Sequence, residues 1–205
     1  MVKNDEKILD LLNYTIGTIK CFTQSNRDVQ LESVNHKMVP LLSMTIQKVM
    51  LFNCAPSKKA MILVQITGAL RNLANIDKCH GQIAQSAVVR LCDIFFDSQF
   101  NSGKELSLNI ARLLSKVSLD FKCAEKIVSS GHVLDFLNSM ILHRDSSAIL
   151  IRIAYILGNL TTNFEDARIK LCTRKGNQSS SFKTILDLAC YYLEKDINPA
   201  SPLVQ

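Results

Sequence analysis

Met61-Ile-Leu-Val-Gln-Ile-Thr-Gly-Ala-Leu-Arg-Asn-Leu-Ala74 is the stretch that decides the fold, because two later stretches repeat its pattern. They are Glu105-Leu-Ser-Leu-Asn-Ile-Ala-Arg-Leu-Leu-Ser-Lys-Val-Ser118 and Ala148-Ile-Leu-Ile-Arg-Ile-Ala-Tyr-Ile-Leu-Gly-Asn-Leu-Thr161. The matching leucines, Leu70, Leu114 and Leu157, are 44 and 43 residues apart. In every copy, apolar residues recur at intervals of three and four, which indicates an amphipathic α-helix. The apolar positions that coincide, and that we expect to be buried, are Ile66, Ile110 and Ile153; Ala69, Leu113 and Ile156; Leu70, Leu114 and Leu157; and Leu73, Val117 and Leu160.

The length of this period predicts the fold class. Helical repeats of this size are typical of armadillo and HEAT solenoids, in which each unit buries its apolar face against its neighbours. Two shorter helical patterns separate the copies, and the second of them begins near Met38, Val88 and Val133. We therefore expect an all-α, right-handed α-solenoid of armadillo/HEAT-like repeats. Each repeat would hold a short first helix, a second helix and a long third helix.

The domain organisation follows from the same repeat. Residues 1–205 are expected to form a single solenoid of about four repeats that is incomplete at its ends. A degenerate third helix fits Leu11 to Thr23, and a last second helix begins at Phe182. The polar residues 173–181 are expected to form a flexible loop insertion, and residues 198–205 a tail.

Composition and charge limit the functional class. With 47% hydrophobic and 20% charged residues, the chain resembles an ordinary folded soluble protein. A net charge of +6 suits an acidic protein, a microtubule-like surface or nucleic acid. The seven scattered cysteines contain no CxxC pair, so a reducing, cytoplasmic location is expected. Neither a signal peptide nor an apolar run long enough to cross a membrane is visible.

Motifs for catalysis or metal binding are missing from the sequence. It contains no Walker A, GxGxxG, HExxH or GxSxG pattern. Cys79-His80 is half of a metal site without a second pair of ligands, and Asp93 with Asp97 suggests a solvated helix face. His36 and His132 fall at the same repeat turn, which predicts a structural role for both. We expect no enzymatic activity, catalytic residue, metal or cofactor.

Polar residues coincide on the opposite face of the third helices. The coinciding sets are Gln65, Asn109 and Arg152; Gly68, Arg112 and Tyr155; and Asn72, Lys116 and Asn159. Stacked repeats would align these stripes as a ladder that faces the groove. Exposure to solvent would account for the polarity of this face but not for its residue types. Amides and guanidinium groups also bind extended peptide backbone and carboxylates, which favours a binding surface. The predicted groove residues are Gln65, Arg71, Asn72, Asn109, Arg112, Lys116, Arg152, Tyr155 and Asn159.

Three segments carry a resemblance to the armadillo-repeat family. Residues 69–74 and 153–160 resemble the third-helix motif of that family, and residues 127–137 resemble its turn between first and second helices. The resemblance covers roughly residues 8 to 193. It implies a groove lined by third helices, in which Asn72, Asn109 and Asn159 bind the partner's backbone. The arginines, Lys116 and Tyr155 would then serve as charged and aromatic anchors.

The same resemblance bears on the charge of the ligand. In importin alpha, a family member, a Trp and an Asn four residues later line the peptide groove, and Tyr155 and Asn159 match that pair. Gly68 stands where the aromatic would precede Asn72, and cations replace both residues in the middle copy. A basic groove is similar to that of beta-catenin, so the resemblance implies a protein or peptide ligand that is acidic.

Within the family, the pattern is most similar to an armadillo repeat-containing protein of cilia and flagella. That resemblance implies radial-spoke transport and axoneme assembly. We therefore expect a non-enzymatic scaffold or adaptor with a basic, Asn-bearing concave groove, in the cytoplasm and the cilium or flagellum. Small-molecule substrates and membranes are not expected as ligands.

Two alternatives to the groove remain at this point. A basic solenoid could associate with microtubules or nucleic acid, which predicts a steep loss of affinity with salt. Only 6% of residues are aromatic, which disfavours RNA because few side chains are present for base stacking. The chain could also be an inert structural spacer, which predicts no ligand.

Overall fold

The computed structural model describes residues 2–100, 103–172, 187, 190 and 191, with side chains from Lys7 onward. Over these residues the chain is helical and contains no strand. The elements are α1 (Val2–Phe22), α2 (Arg27–Asn35), α3 (Met38–Leu51), α4 (Pro56–Leu73), α5 (Lys78–Ser86), α6 (Val88–Phe96), a 3₁₀ turn (Ser98–Phe100), α7 (Lys104–Val117), α8 (Phe121–Ser129), α9 (Val133–Leu142), α10 (Ser147–Asn163) and α11 (Glu165–Cys172). The predicted loop at 173–181 and tail at 198–205 lie outside the described residues, as does Phe182.

The order of the helices confirms the predicted all-α class and the three-helix unit. A short first helix, a second helix and a long third helix follow one another as α2–α3–α4, α5–α6–α7 and α8–α9–α10. Helix α1 takes the place of a third helix, and α11 takes the place of a first helix. No helix in the described part of the chain is long and apolar enough to cross a bilayer.

Local side-chain chemistry marks several helix starts. The Asn26 side-chain oxygen accepts from the backbone N–H of Val29 at 3.1 Å, and the Asp120 carboxylate accepts from Cys123 N–H at 3.1 Å. These contacts satisfy amides that have no partner within the first turn of a helix. Pro56 opens α4, where its missing N–H costs no hydrogen bond.

The long helices share one buried row, which we call the core row. It consists of Ile62, Ile66, Ala69 and Leu73 in α4, Leu106, Ile110, Leu113 and Val117 in α7, and Ile149, Ile153, Ile156 and Leu160 in α10. All twelve side chains are at most 2% exposed. Helix α1 packs on α4, α4 on α7, and α7 on α10, so the third helices contact one another in chain order. The predicted buried positions of the repeat are confirmed.

Gly131 and Gly158 are expected to respond in opposite ways to replacement by alanine. Gly131 has φ +89°, in the left-handed region, and lies in the turn before α9, whereas Gly158 lies within α10 with open space around it. We expect Gly131→Ala to destabilise the fold by about 1 kcal/mol, because a Cβ strains left-handed backbone. Gly158→Ala should stabilise it by about 0.5–1 kcal/mol through helix propensity. Urea unfolding measures both, and stabilisation by both substitutions would contradict the assigned turn.

Candidate partner-binding depression

The third helices α4, α7 and α10 meet around one open depression of about 730 Å³, which we call the basic depression. Its lining residues are Arg71, Asn72, Asn75, Arg112, Ser115, Lys116, Leu119, Arg152, Tyr155 and Asn159. This set contains every predicted groove residue except Gln65 and Asn109. Side chains separated by more than 80 residues in the chain therefore share one surface.

Four cations dominate the electrostatics of the basic depression. Arg71 comes from α4, Arg112 and Lys116 from α7, and Arg152 from α10. Within the described part of the chain, the ion pairs join other residues, and none of these four cations takes part in one. Their charges therefore sum to a positive field over the depression, which favours an anionic ligand.

Lys116 is a partly buried member of this cluster. Its Nζ donates to the side-chain oxygen of Asn75, in the turn after α4. Desolvation lowers the pKa of Lys116 from its usual value, and the carboxylate of Asp77 opposes that shift. A carboxylate bound beside Lys116 would oppose this shift, because a nearby negative charge favours the charged amine.

An aromatic side chain supplies the apolar part of the depression. The Arg152 guanidinium carbon lies 5.9 Å from the centre of the Tyr155 ring, within the range of a cation–π contact. Tyr155 is 57% exposed, so much of its surface remains open to a ligand. Tyrosine and arginine, with tryptophan, are enriched among the residues that dominate binding energy at protein interfaces.

Asn72 and Asn159 hold adjacent third helices together. The Asn72 amide donates to Lys20 C=O at 2.9 Å and to the Thr23 hydroxyl at 3.3 Å, at the end of α1. The Asn159 amide donates in the same way to Ser115 C=O at 3.3 Å and to the Ser118 hydroxyl at 2.9 Å, at the end of α7. Their N–H groups are thus engaged within the protein. This differs from the expected donation to a partner's backbone and leaves the side-chain oxygens for that role.

Asn109 and Gln65 depart from the predicted ladder. Asn109 is only 8% exposed, and its side-chain oxygen accepts from Arg71 Nη1 at 3.0 Å. Gln65 lines a separate open depression beside α1, with its side-chain oxygen 3.7 Å from where a Cβ on Gly17 would lie. Both residues lie on the side of their helix that faces the preceding third helix. The physical role of Asn109 is therefore to hold Arg71, not to line the basic depression.

Sequence periodicity missed three lining residues, Asn75, Ser115 and Leu119. Asn75 and Leu119 lie just past the ends of their helices, where a helical period no longer applies. Gly68 was expected on the polar stripe, but it is buried against Lys20. A Cβ there would lie 2.6 Å from Lys20 Cδ, so this glycine makes room for the lysine chain across α4.

The histidine and carboxylate groups form structural contacts elsewhere. His132 Nε2 lies 3.1 Å from Asp93, and its Nδ1 lies 3.0 Å from Asp135, which ties α6 to α9. His36, at the end of α2, has an 80% exposed side chain whose Nε2 lies 3.5 Å from the Glu32 carboxylate, so its contact stays within its own helix and joins no second helix. The carboxylates of Asp93 and Asp97 have separate partners, since Asp93 contacts His132 and Asp97 accepts from Gln99 N–H at 3.0 Å. The described residues contain no group of three side chains placed to hold a metal ion.

Buried thiols fill equivalent places in successive repeats. Cys79 in α5 and Cys123 in α8 are fully buried, and Cys123 Sγ donates to His80 C=O at 3.3 Å. Desolvation raises the pKa of both thiols to about 12. They are therefore protonated near neutral pH and pack as small apolar groups, because only the thiolate is a strong nucleophile.

Removing the Asn72 amide should loosen the contact between α1 and α4. We expect Asn72→Ala to lower the free energy of unfolding by about 1–2 kcal/mol, because Lys20 C=O and the Thr23 hydroxyl lose a buried partner. Asn53→Ala, at an exposed position in the loop before α4, is the control and should change it by about 0.5 kcal/mol or less. Urea unfolding followed by circular dichroism compares the two. Equal changes in the free energy of unfolding for the two variants would show that the Asn72 amide contacts do not stabilise the fold.

The comparisons with known proteins gave matches of one kind. No family model matches the chain, and no solved structure matches it significantly. Armadillo repeat-containing protein 2 from Homo sapiens is 27% identical over 198 residues, which cover 94% of this chain and 22% of the relative. The Bos taurus protein of that name is 28% identical over 192 residues, 90% of this chain and 21% of the relative. The Mus musculus protein is 28% identical over 194 residues, 91% of this chain and 22% of the relative.

These relatives confirm the resemblance that the third helices indicated. All three carry the armadillo-repeat name, and it is the name of the family member that the sequence pattern most resembled. The chain spans about a fifth of the length of these relatives, since it covers 21–22% of each. Along nine-tenths of its own length, the chain is thus similar to one part of armadillo repeat-containing protein 2.

Proposed function

We propose that the chain is a non-enzymatic, protein-binding scaffold of the armadillo type, built as one right-handed solenoid of about four repeats over residues 1–205. The chain-order packing of α1, α4, α7 and α10 supports this proposal, as does the core row at the same register in three helices. The armadillo-repeat name of the relatives supports it independently.

The ligand that we propose for the basic depression is an acidic segment of another protein. The observation that carries the proposal is the set of four cations from three helices around one open depression, none of them in an ion pair with a described residue. Guanidinium groups bind carboxylates through two parallel hydrogen bonds, so Arg71, Arg112 and Arg152 suit Asp and Glu side chains. Tyr155 would contact an apolar residue of the same segment.

The lining of the basic depression favours a protein over a single-stranded nucleic acid. Stacking platforms for bases place several aromatic rings along a basic groove. Among the lining residues, Tyr155 is the single aromatic side chain. A duplex is read largely through phosphate contacts spread along a surface, whereas these four cations line one depression.

Affinity capture from extracts of ciliated cells, followed by mass spectrometry, tests the proposed function. The test variant is Arg71→Glu/Arg112→Glu/Lys116→Glu/Arg152→Glu. The control makes the same charge change at four exposed lysines outside the depression, Lys48, Lys78, Lys104 and Lys122. We expect the test variant to lose a defined set of proteins that the wild type and the control retain. Capture of the same set by all three folded proteins would refute the depression as the binding surface.

The cellular setting that we propose is the cytoplasm, and within it the cilium or flagellum, where the scaffold would serve axoneme and radial-spoke assembly. The sequence resemblance described above supports this setting. Imaging of the fluorescently tagged chain in ciliated cells tests it. Enrichment along the axoneme or at its base is expected, and a uniform signal excluded from cilia would overturn the proposal.

A further inference from the structure

Three apolar side chains border the basic depression where α7 and α10 end. Leu119, which lines the depression, lies just past α7 and is 69% exposed. Phe121, at the start of α8, is 58% exposed, and its ring centre lies 5.0 Å from that of Phe164, just past α10. We call these three residues the apolar edge. Large apolar side chains thus lie open to a ligand next to the cations of the depression.

The aromatic residues of the apolar edge occupy one register of the repeat. Phe121 and Phe164 are 43 residues apart, which is also the spacing between the starts of α7 and α10. In the preceding repeat this register holds Asp77, whose carboxylate opposes the lowering of the Lys116 pKa. The border of the depression thus changes from acidic beside α4 to aromatic beside α7 and α10. A ligand that lies along the depression would therefore meet different chemistry at its two ends.

The ends of α7 and α10 favour an apolar ligand group at this edge over a carboxylate. The last C=O groups of a helix have no partner within the helix and carry partial negative charge. Helix α7 ends at Val117 and α10 at Asn163, so both negative ends lie beside the apolar edge. A carboxylate is therefore favoured over the cations and disfavoured here. An apolar group gains free energy at the edge by removing exposed apolar surface from water.

Phe164 gives the apolar edge a fixed base. Its side chain is half-buried and packs against the hydrophobic core, and its backbone N–H donates to Leu160 C=O at 3.0 Å. The Phe121 ring lies against it with 30° between the ring planes. A surface that is ordered before binding loses little conformational freedom when a ligand arrives, which favours affinity.

We propose that the partner segment is bipartite: its acidic residues bind over the basic depression, and one large apolar side chain binds on the apolar edge. The inference rests on the proposed function, because it extends the surface that holds the acidic residues. Leu119 follows Lys116 by three residues, and side chains at that separation in a helical turn lie about 5–6 Å apart. Two residues of an extended ligand span about 7 Å, so the apolar residue lies about two residues from the nearest carboxylate.

Charge favours a partner protein over the residues that follow α11 as the occupant. Residues 173–186 contain Arg174, Lys175 and Lys183 and no carboxylate side chain. The cations of the basic depression repel these three like charges. An acidic segment with an apolar residue suits both parts of the surface, and we assign it to another protein.

Fluorescence anisotropy with three labelled peptides tests the proposal on the full chain. The base peptide alternates Asp and Glu with Ser. The other two peptides add one Phe, either two residues before the first carboxylate or two residues after the last. We expect at least one Phe peptide to bind the wild type about tenfold more tightly than the base peptide, because the edge removes part of its ring from water.

Two matched variants assign this gain to the apolar edge. Leu119→Ala/Phe121→Ala should bind the base peptide within about twofold of the wild type and should lose most of the tenfold gain from Phe. Leu51→Ala/Phe22→Ala removes the same atoms from exposed side chains outside the depression and should keep the gain. Circular dichroism verifies that each variant is folded. Leu119→Ala alone, at an exposed position past α7, repeats the test if the double variant does not fold, and should lose at least about threefold of the gain.

The outcomes separate this inference from the proposed function. Binding of the base peptide that depends on Arg112 and Arg152, with no gain from Phe, would overturn the bipartite ligand and leave the acidic ligand in place. A gain from Phe that persists in the apolar-edge variant would overturn it as well. Failure of the wild type to bind the base peptide, or binding that survives Arg112→Glu/Arg152→Glu, would refute the acidic ligand itself.

Measurements on the free chain test the other occupants of the apolar edge. Sedimentation over a range of concentrations should give the same association state for the wild type and for Leu119→Ala/Phe121→Ala. Dimers that this variant disperses would overturn the proposal by assigning the edge to a second copy of the chain. Amide hydrogen exchange in residues 173–205 should also be equal in the two proteins, and faster exchange in the variant would assign the edge to the chain's own residues.

Discussion

Replacing Phe136 by alanine will lower the free energy of unfolding by about 3–5 kcal/mol, the largest single-side-chain effect on stability that we expect. Phe136 is among the largest fully buried side chains, and its ring centre lies 4.8 Å from that of Phe96 and 5.8 Å from that of Phe95. These contacts join α9 to α6, so they connect second helices of successive repeats. Truncation removes the ring contacts and leaves a cavity that rigid helices on both sides cannot close.

The measurement is urea unfolding at constant temperature, followed by circular dichroism. Phe22→Ala is the matched control, because it removes the same atoms from a side chain that is 67% exposed. We expect the control to change the free energy of unfolding by about 0.5 kcal/mol or less. Similar losses for the two variants would mean that Phe136 does not belong to the interior.

The agreement between sequence and structure is closest where one residue type must face the interior at every repeat. Ile66, Ile110 and Ile153 were placed on the core row from spacing alone, and all three are fully buried. Spacing is sufficient there, because burial depends on the face of the helix and not on the identity of its neighbour. Spacing along the third helices likewise predicted that Arg112, Lys116 and Arg152 lie on one surface, and all three line the basic depression.

The sequence-based predictions were wrong for polar side chains that contact a neighbouring helix instead of solvent. Asn109 belongs to the polar stripe by spacing, but it is buried because Arg71, 38 residues away, supplies its hydrogen-bond donor. Asn72 likewise finds its acceptors on α1, 52 and 49 residues away. Periodicity specifies a direction around one helix and contains no information on the relative placement of two helices. Amide contacts between third helices therefore became visible only in the structure.

Reversing the charge of Arg112 and Arg152 will weaken the binding of an acidic peptide by at least about 100-fold. Loss of one partner from a hydrogen-bonded charge pair that becomes buried at an interface costs about 2–5 kcal/mol, and a glutamate adds repulsion to that loss. The two arginines come from α7 and α10, so the double variant removes cations from two sides of the basic depression. A fluorescent peptide in which Asp and Glu alternate with Ser is the probe, and fluorescence anisotropy gives Kd.

Two further variants and a salt series test whether the loss of peptide affinity arises at the basic depression. Lys48→Glu/Lys122→Glu carries the same charge change at exposed positions outside the depression, and should weaken binding much less than the arginine variant. Tyr155→Ala should cost roughly tenfold, because it leaves the cations in place and removes the aromatic surface. Salt should weaken binding to the wild type more steeply than to the arginine variant, since fewer charges remain to be screened. An arginine variant that binds as tightly as the lysine control would place the acidic ligand on another surface, because net charge alone would then account for the affinity.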